Sequence, residues 1–199
     1  MLAAMTAAMW LIVAVIGADQ NAAGAMGFIP ARLSGMVDVS PAVPALLTPL
    51  SATLVHGGFF HLALNLLMLL WCGTAVERVL GRGALILLYV VGAFTSAMAQ
   101  WAIDPQSLVP MIGASGAISA IIGAFALSFG RPKQIVRSQA LNRAINALWL
   151  LAAWIVLQLM TGMLAGGQGL VLATPAHIGG FVAGLLMQRP LLLWRYRKA

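Results

Sequence analysis

Residues 112–130 read IGASGAISAIIGAFALSFG, nineteen positions without a charged side chain, and near their start a serine stands between an alanine and a glycine. A helix rises about 1.5 Å per residue, so a run of this length is close to what is needed to cross about 30 Å of hydrocarbon. Its environment therefore has to be decided before the serine can be read. Across the 199 residues 62% are hydrophobic and 8% charged, too few charges for a chain whose surface meets water. Six such apolar stretches occur, at approximately 2–18, 57–76, 83–102, 113–130, 144–164 and 174–194. The short alternating strands of an outer-membrane barrel are absent. Helices satisfy their own backbone hydrogen bonds in lipid, and the expectation is an all-α polytopic membrane protein with six transmembrane helices.

The first stretch lacks the basic leader of a signal peptide and is expected to be retained. Cys72 is the single cysteine, which excludes an intramolecular disulfide and a multi-cysteine metal site and leaves a packing role. The eleven Lys and Arg residues are unevenly shared. With the amino terminus inside, ten fall on the cytoplasmic connections and tail and only Arg32 on an outer loop, a positive-inside pattern with both termini cytoplasmic. The formal charge of +7 is thus spent at membrane borders and does not indicate a nucleic-acid partner. The connection 19–56 is long and apolar, with Pro30, Pro41, Pro44 and Pro49 expected to break regular helix, and is placed partly in the membrane interface. The outer loops 103–112 and 165–173 are short, and the inner loop 131–143 opens on Arg131-Pro132, a helix stop. No repeat suggests inverted halves, so residues 1–199 are read as one membrane domain. Its small size and lack of appended domains point to a bacterial plasma membrane.

Polar groups are costly in a bilayer, and each one inside a span is a candidate site. In the second stretch His61 and Asn65 lie four residues apart, on one helix face. Ser115 sits in Gly113-Ala114-Ser115-Gly116, and His177 lies near the start of the sixth stretch in AHIGGFVAG. The second, fourth and sixth stretches all run from outside to inside, which brings these residues to the outer end. A span starting at 57 puts His61 about 6 Å and Asn65 about 12 Å below that end, with Ser115 and His177 within one turn of theirs. Gly116, Ala120 and Ala124 form a small-residue stripe, as do Ala176, Gly180 and Gly184, so the fourth and sixth helices are expected to meet closely. Ser115 read alone is a packing residue. With a histidine across that contact it becomes a nucleophile with its base. The four acids fall in outer loops (Asp19, Asp38, Asp104) or at the cytoplasmic end (Glu77), so the expectation is a Ser115–His177 dyad rather than a triad. The Ser115 N–H, the His61 ring and the Asn65 amide are the candidate donors to an oxyanion.

These residues resemble the rhomboid intramembrane serine proteases. The resemblance covers roughly Val55 to Gly184: HGGFFHLALN, the glycine-glutamate-glycine pattern of Gly73, Glu77 and Gly81, GASG, and AHIGGFVAG, in that order. It implies a six-helix fold, a serine–histidine dyad in a water-filled cavity open to the outer face, and cleavage of transmembrane segments of other membrane proteins without cofactor or metal. By the same resemblance Ser115 is the nucleophile, His177 the base, His61 and Asn65 the oxyanion-hole side chains, and His56 a histidine at the cavity rim. Two positions depart from the pattern. Ser119 stands where many relatives carry an aromatic residue that stacks on the catalytic histidine, and Leu47-Thr48 stands where a Trp-Arg pair is common.

Other classes fit less well. A zinc protease would need H-E-x-x-H, and an aspartyl intramembrane protease two aspartates within spans. A metal transporter built on His56, His61 and His177 would need carboxylate or thiolate partners facing a pore. The remaining rival is a non-catalytic rhomboid-like protein that binds and escorts transmembrane helices, in which loss of the serine or histidine is expected.

Overall fold

The structure, a computed structural model, describes residues 1–129, 134–164 and 173–197. Among these the chain is helical, with one isolated antiparallel bridge between Phe28 and Met111. The elements are α1 (Leu2–Val15), α2 (Asp19–Met26), α3 (Pro30–Leu33), a 3-10 turn at Ala45–Leu47, α4 (Thr48–Ser51), a second 3-10 turn at Ala52–Leu54, α5 (Phe59–Leu80), α6 (Arg82–Ile103), α7 (Ser115–Phe129), α8 (Gln139–Leu164) and α9 (Thr174–Arg195).

Helices α5, α6, α8 and α9 are long and apolar enough to cross a membrane, whereas α1 has 14 residues and α7 has 15. The described part of α7 starts at Ser115, two residues later than the stretch 113–130 suggested, and runs to the last described residue before 130. Residues 115–124 of α7 are all buried, so this helix meets other helices rather than lipid. Gly113, at φ +108, turns the chain immediately before it. Helix α1 stops short of residue 18, ahead of Gly17 at φ +64. Helix α8 begins five residues earlier than expected. Ser138 accepts the Leu141 N–H at 3.3 Å, an N-cap bond, while Asn142 accepts the Ile135 and Val136 N–H groups at 3.0 Å each. Polar residues that read as loop thus form the helix start. The Arg131-Pro132 stop and most of the loop 165–173 lie outside the described residues.

Helix α7 is held between α5, α6, α8 and α9, and its closest contacts are made through missing side chains. A Cβ on Gly180 would collide with the Gly116 carbonyl oxygen, and one on Gly184 with the Ala120 carbonyl oxygen. On the other side, a Cβ on Gly92 would lie 2.6 Å from the Ala120 Cβ. The two small-residue stripes therefore face each other, and dispersion between closely spaced backbones replaces the hydrophobic drive that lipid cannot supply. The main core joins these helices around Val76, Leu88, Ile118, Ile121, Trp154 and Phe181. Helix α8 buries a narrow seam of Ala147, Trp154 and Gln158 and exposes Leu148, Trp149, Val156 and Met160.

The connection 19–56 departs from the expectation of broken chain. Pro30 is the first residue of α3 and Pro49 the second of α4, within the first turn, where a missing N–H costs nothing. The segment is tied to the loop before α7: Phe28 and Met111 exchange N–H···O bonds of 2.9 and 2.8 Å, and Ser34 Oγ donates to the Pro105 carbonyl at 2.8 Å. Gly113 N–H donates to the Ala52 carbonyl at 2.9 Å, which anchors the approach to Ser115.

Candidate active site

Three helix starts converge. Ser115 is the first residue of α7, His177 lies in the first turn of α9, and His61 in the first turn of α5. Because α5 begins at Phe59, two residues later than the sequence suggested, His61 and Asn65 are about 3 Å shallower than expected. His177 Nε2 lies 2.8 Å from Ser115 Oγ, with Ser115 8% and His177 5% exposed. With the hydroxyl donating, the imidazole proton sits on Nδ1, which has no partner among the described residues. Glu77 is sixteen residues further along α5 than His61, about 24 Å away along the axis.

Gly113 decides where the His61 ring goes. A Cβ there would stand 2.7 Å from His61 Cε1 and Nε2, so the ring presses on bare backbone two residues before Ser115. Asn65 is 1% exposed and donates its amide to the His61 carbonyl at 2.8 Å, leaving one amide N–H, while Oδ1 has no partner among the described residues. Among the described residues Asn65 makes no direct hydrogen bond to Ser115 or His177. The N–H groups of Ser115, Gly116 and Ala117 precede the first intrahelical bond, made by Ile118 to the Ala114 carbonyl at 2.9 Å. Such free donors and the positive end of the helix dipole favour an anion at the nucleophile.

His56, expected at a cavity rim, is 2% exposed and accepts the Ala114 N–H through Nε2 at a long 3.4 Å. Burial, then the neighbouring His61, pushes its pKa down to about 3. It is a neutral ring, packed edge-on against His61 with centroids 5.1 Å apart. It supports the loop before Ser115 and does not reach the dyad. No group of three or more His, Cys, Asp or Glu side chains placed to hold a metal occurs among the described residues. Leu47 is exposed and Thr48 buried, its hydroxyl donating to the Ala45 carbonyl at 2.6 Å.

Beside this geometry, residues 44–194 match the model of the rhomboid domain. The chain belongs to the rhomboid family. It is 32% identical over 140 residues to the rhomboid protease GluP of Bacillus subtilis, covering 70% of this chain and 24% of that protein. It is 31% identical over 144 residues to RHOMBOID-like protein 5 of Arabidopsis thaliana, covering 72% and 43%, and 33% identical over 140 residues to the rhomboid protease GlpG of Serratia proteamaculans, covering 69% and 45%. The matched region thus accounts for less than half of each of these relatives. Rhomboid membership and the apolar helices make it a membrane protein.

In this rhomboid the aromatic residue against the histidine comes from another helix. Ser119, one turn after Ser115, carries no ring; instead Trp154 of α8 meets His177 edge-on, with centroids 6.3 Å apart and planes at 77°. Sequence reasoning missed Trp154. The available signal was a tryptophan in mid-span, whose indole N–H must find a partner when buried.

Proposed function

We propose that this rhomboid is an intramembrane serine endopeptidase that cleaves peptide bonds in or near transmembrane segments of other membrane proteins. The observation that carries the reading is the 2.8 Å approach of Ser115 Oγ to His177 Nε2 across the contact of α7 and α9. Ser115 Oγ attacks the scissile carbonyl as its proton passes to Nε2. The resulting oxyanion meets the Ser115 N–H, and His61 and the free N–H of Asn65 lie on the neighbouring helix as further donors. Nε2 then returns its proton to the leaving amine, giving an acyl-serine. Water, giving its proton to the same ring, attacks the acyl-serine, and the ring passes that proton to Ser115 Oγ as the new carboxyl end is released. The buried surroundings strengthen each of these electrostatic contacts, and a channel for water must reach the outer end of α7.

The domain we propose joins α1 to α5–α9 of the matched region, since α1 packs on α5 through Trp10 and Phe59, with centroids 6.3 Å apart. The charge distribution supports cytoplasmic termini and a site toward the outer face, and the membrane we assign is a bacterial plasma membrane.

The direct test uses purified protein in liposomes with a single-span substrate and, separately, a fluorophosphonate probe. Cleavage together with a probe adduct mapped to Ser115 is expected. An intact substrate that nonetheless co-purifies with the protein, and no adduct, would favour a helix-binding escort instead. Replacing Asn65 with alanine is expected to lower kcat by about 10²–10³-fold with little change in KM, because its donor acts mainly in the transition state. A change confined to KM would remove Asn65 from the oxyanion hole.

A further inference from the structure

The dyad leaves one side of the imidazole without a hydrogen-bond partner, because His177 Nδ1 is buried and unpaired among the described residues. A ring tethered only through Nε2 is free to swing about its side-chain torsion, yet proton transfer needs it in one orientation. What lies against the ring is the buried Trp154, 1% exposed. An edge-on pair at this separation is attractive beyond the area it buries.

Trp154 is itself fixed. Its indole N–H donates to Ser119 Oγ at 2.8 Å, and Ser119 Oγ donates to the Ser115 carbonyl at 2.7 Å. The Ser119 hydroxyl is therefore used twice, as acceptor from α8 and as donor to the nucleophile's own backbone. One chain of contacts runs from the His177 ring on α9 through Trp154 on α8 to Ser119 and Ser115 on α7. Helix α8 otherwise packs lightly, on the seam that holds Ala147 and Gln158.

We infer that Trp154 and Ser119 are positioning residues that hold the His177 ring in line with Ser115, in place of a carboxylate on Nδ1. The inference rests on the Ser115–His177 reading above. Neither residue touches substrate. Trp154 acts through the imidazole, and Ser119 acts by anchoring the indole and tying it to the Ser115 peptide. A displacement of α8 that withdraws the indole would slacken the dyad, so the position of this helix and the competence of the site are coupled through one side chain.

The test measures kcat and KM for a single-span substrate in liposomes, and the rate of fluorophosphonate labelling, for Trp154→Leu, Trp154→Phe, Ser119→Ala and the control Ser115→Ala. Trp154→Leu is expected to lose on the order of 10- to 100-fold in kcat and to label correspondingly more slowly, with KM changed by no more than about twofold. Trp154→Phe keeps a ring edge and should recover most of that loss. Ser119→Ala removes one oxygen and should cost several-fold in kcat. Wild-type kcat in both Trp154→Leu and Ser119→Ala would overturn the inference, as would a Phe variant no better than the Leu variant. If Trp154→Leu does not fold, Ser119→Ala decides, with unchanged kcat as the overturning result. Cleavage retained by Ser115→Ala would instead strike the serine-protease reading and leave the two failures distinguishable.

Discussion

Ser115→Ala and His177→Ala are each expected to lower turnover by roughly 10⁴- to 10⁶-fold, and the double variant is expected to cost no more than the larger single loss. In the proposed mechanism the two groups form one device. The hydroxyl attacks only as the imidazole takes its proton, and the imidazole has no other proton to take at the 2.8 Å contact. Removing either member removes the whole contribution, so the losses do not add. What remains is the substrate binding and oxyanion stabilisation supplied by the start of α7, which act without the dyad. Single-turnover cleavage in liposomes, with the protein in saturating excess over substrate, measures this apart from product release. His177→Ala should also slow fluorophosphonate labelling of Ser115, because the probe needs the same activated oxygen. A double variant whose loss is the product of the single losses would mean that the two residues act independently, and the dyad would fail.

The second large effect is expected at Gly180. A Cβ there would collide with the Gly116 carbonyl oxygen and lie 2.6 Å from Ser96 Oγ, and the first of these is backbone that cannot rotate away. Gly180→Ala must therefore push α9 off α7, three residues from His177 and one from Ser115 along their helices. Overpacking of this kind costs about 1–3 kcal/mol, and more where backbone is the obstacle. Because about 1 Å of misplacement can cost 10²-fold in rate, turnover should fall at least that far even in protein that still inserts and folds. Gly83→Ala is the matched control, since a Cβ at Gly83 meets nothing within 4 Å, and it should leave both properties near wild type. Thermal unfolding in detergent and kcat in liposomes check the pair. A Gly180→Ala variant with wild-type turnover would show that the helix contact does not set the dyad distance.

Much of this was legible without coordinates because it is local. Apolar runs, their length and the absence of charge require helices in lipid, and the Gly116–Ala120 and Gly180–Gly184 stripes state which faces can touch. Other features were not legible. The sequence did not show that one of the two Asn65 amide N–H groups is bonded to the His61 carbonyl a turn earlier, which leaves a single donor for an oxyanion. Such a local bond competes wherever a short amide lies mid-helix. The start of α8 was hidden because Asn142 caps a loop and belongs to a helix at once. Pro30 and Pro49 were read as breakers when they open short helices.

By itself the sequence determined that this chain is a bundle of membrane helices, and that a serine, two histidines and an asparagine are carried near the start of alternate ones. Each of those statements follows from composition and from periodicity within a single segment. Only the tertiary structure decided that α7 is buried over residues 115–124, that His61 lies on Gly113, and that the ring against His177 belongs to Trp154. These depend on the depth and rotation of one helix against another, and those are settled by how backbones pack across the small residues, a property of pairs of segments rather than of either alone.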